Sequence, residues 1–253
     1  MRRLLATGVL IACVAFAGGA AGAARFEGEG LILTADGGFT PYRLPRRAYA
    51  PIEFKGWANF KAKDGGVPNA LQQVVLGFDR DGRLSTHGLA TCDPALLEEA
   101  APEEARARCP RAIVGTGHVE ALIAGVGSQP PIHAASLVTL FNGPPEAGHP
   151  TAILHARTTE PGVQNFVIAI PIVKRHGRYW ATIDVPPIAG GRGALAHIDI
   201  DVGRRYRSAG KKRSYLSARC SDGILATSGR FAFAGENGGI AIKGSVERGC
   251  GMR

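Results

Sequence analysis

Residues 164–185 read QNFVIAIPIVKRHGRYWATIDV. Two runs, 164–173 and 179–185, are rich in β-branched and aromatic residues, the composition of a half-buried pleated surface. Between them, Lys174-Arg175-His176-Gly177-Arg178 is polar and holds one glycine able to take a positive φ. Two such runs joined by so short a polar link predict an antiparallel hairpin.

The same pattern recurs along the chain. It has 253 residues with 35 Gly and 16 Pro, and long amphipathic helical periods are absent. Further strands are expected over 52–61, 72–78, 83–89, 113–123, 135–141, 152–158, 195–202, 215–220, 230–233 and 240–246. Asp81-Gly82 between two apolar runs predicts another hairpin, and Asn237-Gly238-Gly239 should join the last two strands. The expected fold class is all-β: an antiparallel β-sandwich, jelly-roll-like or Ig-like. Residues 24–50 read as an N-terminal extended segment and 51–253 as a single β-sandwich domain. The Gly-Pro-Pro-Glu-Ala-Gly-His-Pro stretch leaves open an alternative of two smaller β domains split near 142–150.

One stretch reads as helix, the acidic insert between Cys92 and Cys109. Asp93 can cap and Pro94 suits a first helical position, while Pro102 interrupts and opens a second short helix. Glu103 and Glu104 then lie at that helix's positive end, and Arg106 and Arg108 at its negative end. The short helical insert is thus placed near residues 93–108.

The chain begins MRRLLATGVLIACVAFAGGAAGAA. A basic start, an apolar run to Phe16 and small residues around Ala21-Gly22-Ala23 are the layout of a signal peptide spanning 1–23. Leu10-Ile11-Ala12-Cys13 offers an alternative, lipid anchoring through Cys13, although the apolar run continues past it. No later run is long enough to span a bilayer as a helix. Cleavage would remove Arg2 and Arg3 and lower the net charge from +9 to about +7. That excess favours anionic partners, here anionic envelope polymers, over neutral ones.

Four cysteines then remain: Cys92, Cys109, Cys220 and Cys250. An even number in an exported chain points to disulfides. Cys92–Cys109 and Cys220–Cys250 are the expected pairs, because each closes a loop local in sequence. C-x-x-C knuckles for zinc are absent.

Other constellations favour structure over chemistry. His197, Asp199 and Asp201 alternate with Ile198 and Ile200, so they line one strand face where a divalent cation would find imidazole and carboxylates. Such alternation is also how any half-solvated strand reads. Asp79-Arg80-Asp81-Gly82 lacks the later ligands of a calcium loop. Gly115-Thr116-Gly117 has no third glycine at dinucleotide spacing, and His118 and Glu120 share a strand face without a visible partner. No G-x-S-x-G elbow or H-E-x-x-H helix occurs, and no cofactor is implied. The densest charge feature is residues 204–213, where Arg204, Arg205, Arg207, Lys211, Lys212 and Arg213 form a candidate anionic-ligand patch. Only Tyr206 and Tyr215 lie near for stacking, which argues against specific nucleic-acid recognition.

The runs Cys109-Pro110-Arg111-Ala112-Ile113-Val114-Gly115-Thr116-Gly117 and Ser214-Tyr215-Leu216-Ser217-Ala218-Arg219-Cys220-Ser221-Asp222-Gly223, with Phe231-Ala232-Phe233 and Cys250, resemble a group of uncharacterised exported bacterial proteins. The resemblance implies export and β-structure and carries over no catalytic residue. The expected function is that of an exported, non-catalytic binding or structural protein of the cell envelope or extracellular space. The alternative is a secreted hydrolase acting on envelope or extracellular polymer.

Overall fold

A computed structural model describes residues 22–235 and 239–252. The expected signal peptide up to residue 21, with Cys13, and the Asn237-Gly238 turn lie outside the described residues.

In chain order the strands are β1 (Ala24–Gly28), β2 (Leu31–Thr40), β3 (Arg43–Leu44), β4 (Ala50–Pro51), β5 (Glu53–Ala62), β6 (Leu71–Gly77), β7 (Gly82–Leu84), β8 (Ile113–Ile123), β9 (Ile132–Glu146) and β10 (His149–Thr158). There follow β11 (Gln164–Arg175), β12 (Arg178–Asp184), β13 (Gly193–Val202), β14 (Arg205–Ser208), β15 (Lys211–Ser214), β16 (Leu216–Ala218), β17 (Ile224–Phe233), β18 (Ile240–Gly249) and β19 (Gly251–Met252). The fold is all-β. Twelve strands form one sheet in the order β1-β2-β5-β13-β8-β9-β10-β11-β12-β6-β17-β18.

The 164–185 hairpin forms as read. Its two-residue loop places His176 at φ 50° and Gly177 at φ 78°, the primed-turn geometry whose twist matches the flanking strands. β11 is also the corner of the sheet. It pairs with β10 as far as Pro171 and with β12 from Ile172 onward. Proline has no N–H to donate, so it suits the point where the ladder passes between neighbours. The twelve-stranded sheet curls so that apolar side chains from its two halves meet inside. Leu31, Leu33, Ala58 and Phe60 of one half meet Leu71, Val74, Phe233 and Ile242 of the other. Phe60 packs edge-on against Phe231 and Phe233 at 6.0 and 5.9 Å.

Among the described residues, the two sheet edges approach without a hydrogen-bonded ladder. A Cβ on Gly244 of β18 would lie 2.2 Å from the Phe26 ring of β1, so glycine lets the edges touch there. Further along this seam, Arg248 of β18 pairs with Asp36 of β2.

Residues 24–50 supply β1 and β2 to this same sheet, with β3 and the start of β4 beyond it. The stretch over 142–150 is a strand-turn-strand within the sheet, with β9 and β10 paired from Glu146↔His149 onward. The Asp79–Gly82 region departs from expectation. β7 does not fold back on β6 but pairs with β16, while β6 lies between β12 and β17. The aspartates explain it. Asp79 accepts from the Ala226 N–H (3.0 Å), and Asp81 from the Ser221 N–H (2.8 Å) and Arg219 Nε (2.8 Å). They tie this turn to the C-terminal segment and draw the chain out of the sheet. Burial pushes the Asp81 carboxyl up, but the hydrogen bonds from Ser221 and Arg219 outweigh it and hold it below the usual range.

The insert is as read: a 3-10 turn over Pro94–Leu96, capped by Asp93 accepting from the Ala95 N–H (3.0 Å), then α1 (Pro102–Arg108). Glu104 and Arg108 pair one helical turn apart at 2.5 Å. The insert lies on the outer face of β9 and β10, where Leu97, Ala100 and Ala105 meet Phe141 and Ile153. Cys92–Cys109 and Cys220–Cys250 are both bonded, with Cα–Cα distances of 5.6 and 6.0 Å. Among the described residues no helix is long and apolar enough to cross a membrane.

Candidate functional site

Alternation along the strands decides what faces inward. On β13, Ile198, Ile200 and Val202 point in; on β11, Phe166, Ile168, Ile170 and Ile172 do. Between the two halves of the sheet these side chains surround a cavity of about 460 Å³. That volume is in the range of pockets for small ligands, roughly 300–1,000 Å³. Phe54, Phe78, Tyr215, Ile183, Ile188 and Leu195 are among its walls. Tyr215 is buried, and burial pushes its phenol up, so the ring is a neutral wall. Beside the β8–β9 and β10–β11 turns a second space of about 520 Å³ is lined by Val126, Val163 and Arg192. It shares Thr158 and Ile188 with the first one, and Val126 and Val163 are exposed there.

Charge comes to the inner face at the seam. In β18, inward residues alternate with exposed ones, and Arg248 falls in the inward phase with Ile242, Gly244 and Val246. Arg248 and Asp36 both line the cavity of about 460 Å³ and pair with one another. Asp36 also accepts from the Gly37 N–H at 2.5 Å.

The basic stretch folds as a hairpin of its own, β14–β15, turning at Ala209 (φ 49°) and Gly210 (φ 73°). Tyr206 donates its hydroxyl to the carbonyls of Ser85 (3.2 Å) and His87 (3.1 Å), which fastens one face to the body. Arg204 and Arg213 are half-buried on that face, and their Nε atoms are enclosed without a hydrogen-bond partner. Arg205, Arg207, Lys211 and Lys212 are exposed, and Arg207 stands directly opposite Lys212. Like charges facing across a two-stranded ribbon repel. Among the described residues, no ion pair neutralises any of the six.

The outer face of β8 and β13 joins two groups that are apart in sequence. His118 stands opposite Asp199, and Glu120 opposite His197. His197 contacts Asp199 (3.3 Å) and Asn59 (2.7 Å), whereas Asp201 turns to Lys55 (2.7 Å). Among the described residues, no three His, Cys, Asp or Glu side chains converge as a metal site. Gly115 and Gly117 serve packing: a Cβ on Gly117 would lie 2.0 Å from the Asp199 carbonyl oxygen, so glycine lets β8 approach β13.

Sequence reading located the cysteines, the basic stretch and the outer His/Asp face, but left the basic stretch as a loop between strands, where the structure has the β14–β15 hairpin. It missed the cavity, because sheet curvature has no local signature. It also missed Arg248, although extending the 240–246 alternation by two residues puts that arginine in the inward phase.

Compared with protein-family models, with curated proteins and with solved structures, the chain matches none.

Proposed function

We propose that this chain is an exported binding protein that encloses an apolar ligand inside its curled sheet. The observation that carries the reading is the cavity of about 460 Å³, walled by aliphatic and aromatic side chains. A space of this volume lined almost wholly by apolar side chains is of the size and character of a small-ligand pocket. Two disulfides suit an oxidising compartment, and the N-terminal reading and the resemblance to exported bacterial proteins supply the route there.

The test is titration with a neutral fluorescent naphthylamine. One saturable site is expected, and Ala152→Phe, which fills the cavity from β10, abolishes it while the protein stays folded. Absence of saturable binding, or binding indifferent to Ala152→Phe, overturns the reading.

A second contact is proposed at the basic hairpin, with anionic envelope polymer as the partner. It rests on the unneutralised charges of Arg204, Arg205, Arg207, Lys211, Lys212 and Arg213. Retention on an anionic wall polymer should weaken with salt and disappear when Arg205, Arg207 and Lys212 become Gln. Retention that ignores both salt and those changes removes the hairpin from the function.

A further inference from the structure

We infer that the ligand is an amphiphile with one anionic head, a carboxylate-ended apolar chain, and that Arg248 holds the head at the seam. The inference rests on the reading of the interior as a ligand cavity and adds what the ligand must be. A purely apolar occupant has no use for a cation in the inward phase of β18, where Ile242, Gly244 and Val246 precede it on the same face. Placing a guanidinium on an apolar wall is costly unless it is paired, and Asp36 supplies the partner.

That partner is exchangeable. The Asp36 side chain is 25% exposed and that of Arg248 19%, so the pair stands where the cavity meets solvent. It also stands near the seam between the two sheet edges. β1 pairs with β2 only as far as Ala24↔Ala35, so the ladder on that side ends just short of Asp36. Opposite it, β18 is laddered to β17 alone among the described strands. An incoming carboxylate replaces Asp36 on the guanidinium, Asp36 turns to water, and the chain lies along Phe26, Val246 and the inner faces beyond. Charge is conserved in the exchange: one carboxylate leaves Arg248 and another takes its place. Arginine suits the role because its planar fork donates to two carboxylate oxygens at once.

The experiment compares a fluorescent polyene fatty acid with its chain-matched alcohol on the full exported protein. Wild type should bind the acid about tenfold or more tightly than the alcohol, the difference expected of a charge-assisted hydrogen bond. Arg248→Met should weaken the acid and so erase that ratio, and Arg248→Lys should retain part of it. Asp36→Asn removes the competing carboxylate and should tighten the acid alone, an effect of opposite sign that a folding defect does not produce. Equal binding of acid and alcohol by wild type, or a ratio that survives Arg248→Met, overturns the head-group assignment and leaves the cavity reading standing. If neither probe binds, both fall together.

Discussion

β9 and β10 carry apolar residues on both faces, and the two faces are used differently. On the outer face, Phe141 and Ile153 are fully buried under Leu97, Ala100 and Ala105 of the insert. Polar bonds seal its margin: Arg106 Nε donates to Thr139 Oγ1 (2.9 Å), and Arg157 to the Glu99 carbonyl (2.9 Å). Cys92–Cys109 closes the insert on itself. On the inner face, Leu140, Ala152, Leu154 and Ala156 look into the cavity. The same two strands thus show that this chain can pack an apolar surface to contact. Open space on the inner side is then a property of that side, and this supports reading it as a site.

The largest test of the contrast is truncation of one phenylalanine on each face. Phe141→Ala on the outer face should cost about 3–5 kcal/mol, since a buried ring is lost and the clamped insert relaxes little. Phe166→Ala on the inner face of β11 should cost less, under about 3 kcal/mol, because part of that ring already faces open space. Denaturant midpoints at constant m-value read both. Equal losses would erase the distinction between the faces. The converse pair is smaller. Ala112→Phe, in the insert core, should cost about 1–3 kcal/mol by overpacking. Ala152→Phe, facing the cavity, should cost less than about 1 kcal/mol. An Ala152→Phe protein as damaged as Ala112→Phe would mean that the inner face has no room to give.

Much of this architecture was readable in the residues, and the reasons divide cleanly. Strands with local alternation were found: the 113–123 reading coincides with β8, and the 164–185 hairpin turns at His176-Gly177. The insert's caps and prolines are local signals too, and both cysteine pairs followed from short loops. What failed was decided by distant partners. Asp81-Gly82 has the composition of a hairpin, but its carboxylates bond Ser221 and Ala226 lies on Asp79, some 140 residues away. β1 and β2 went unread as sheet strands, because glycines over Gly37-Gly38 and charges over Arg25-Phe26-Glu27 dilute the alternation. The cavity depends on where β11 turns its corner and on how the two sheet edges meet, which no window of sequence displays.

The smallest effect expected is electrostatic and lies at the packed face. His155 is fully buried beneath the insert, with Nε2 donating to the Ala100 carbonyl at 3.1 Å and Nδ1 unpartnered. Burial pushes its pKa below the usual 6.5, more strongly than the Ala100 bond raises it, and Arg157 adds to the lowering. The unfolded chain therefore takes up a proton near pH 6.5 that the folded chain still refuses. Stability from this residue is fully present above pH 6.5 and declines as pH falls toward the lowered folded value, by at most about 1.4 kcal/mol per pH unit. The contribution of Asp81, whose carboxyl is also held below its usual value, is lost only as pH falls below its ordinary 3.8. Urea unfolding at pH 7.5 and 5.5 should show the decline, and His155→Gln, which keeps a donor for Ala100, should flatten it. The same variant should leave binding of an apolar probe in the cavity unchanged, because His155 belongs to the outer face. A pH response that persisted in His155→Gln, or a cavity affinity that moved with it, would join the two faces that the structure keeps apart.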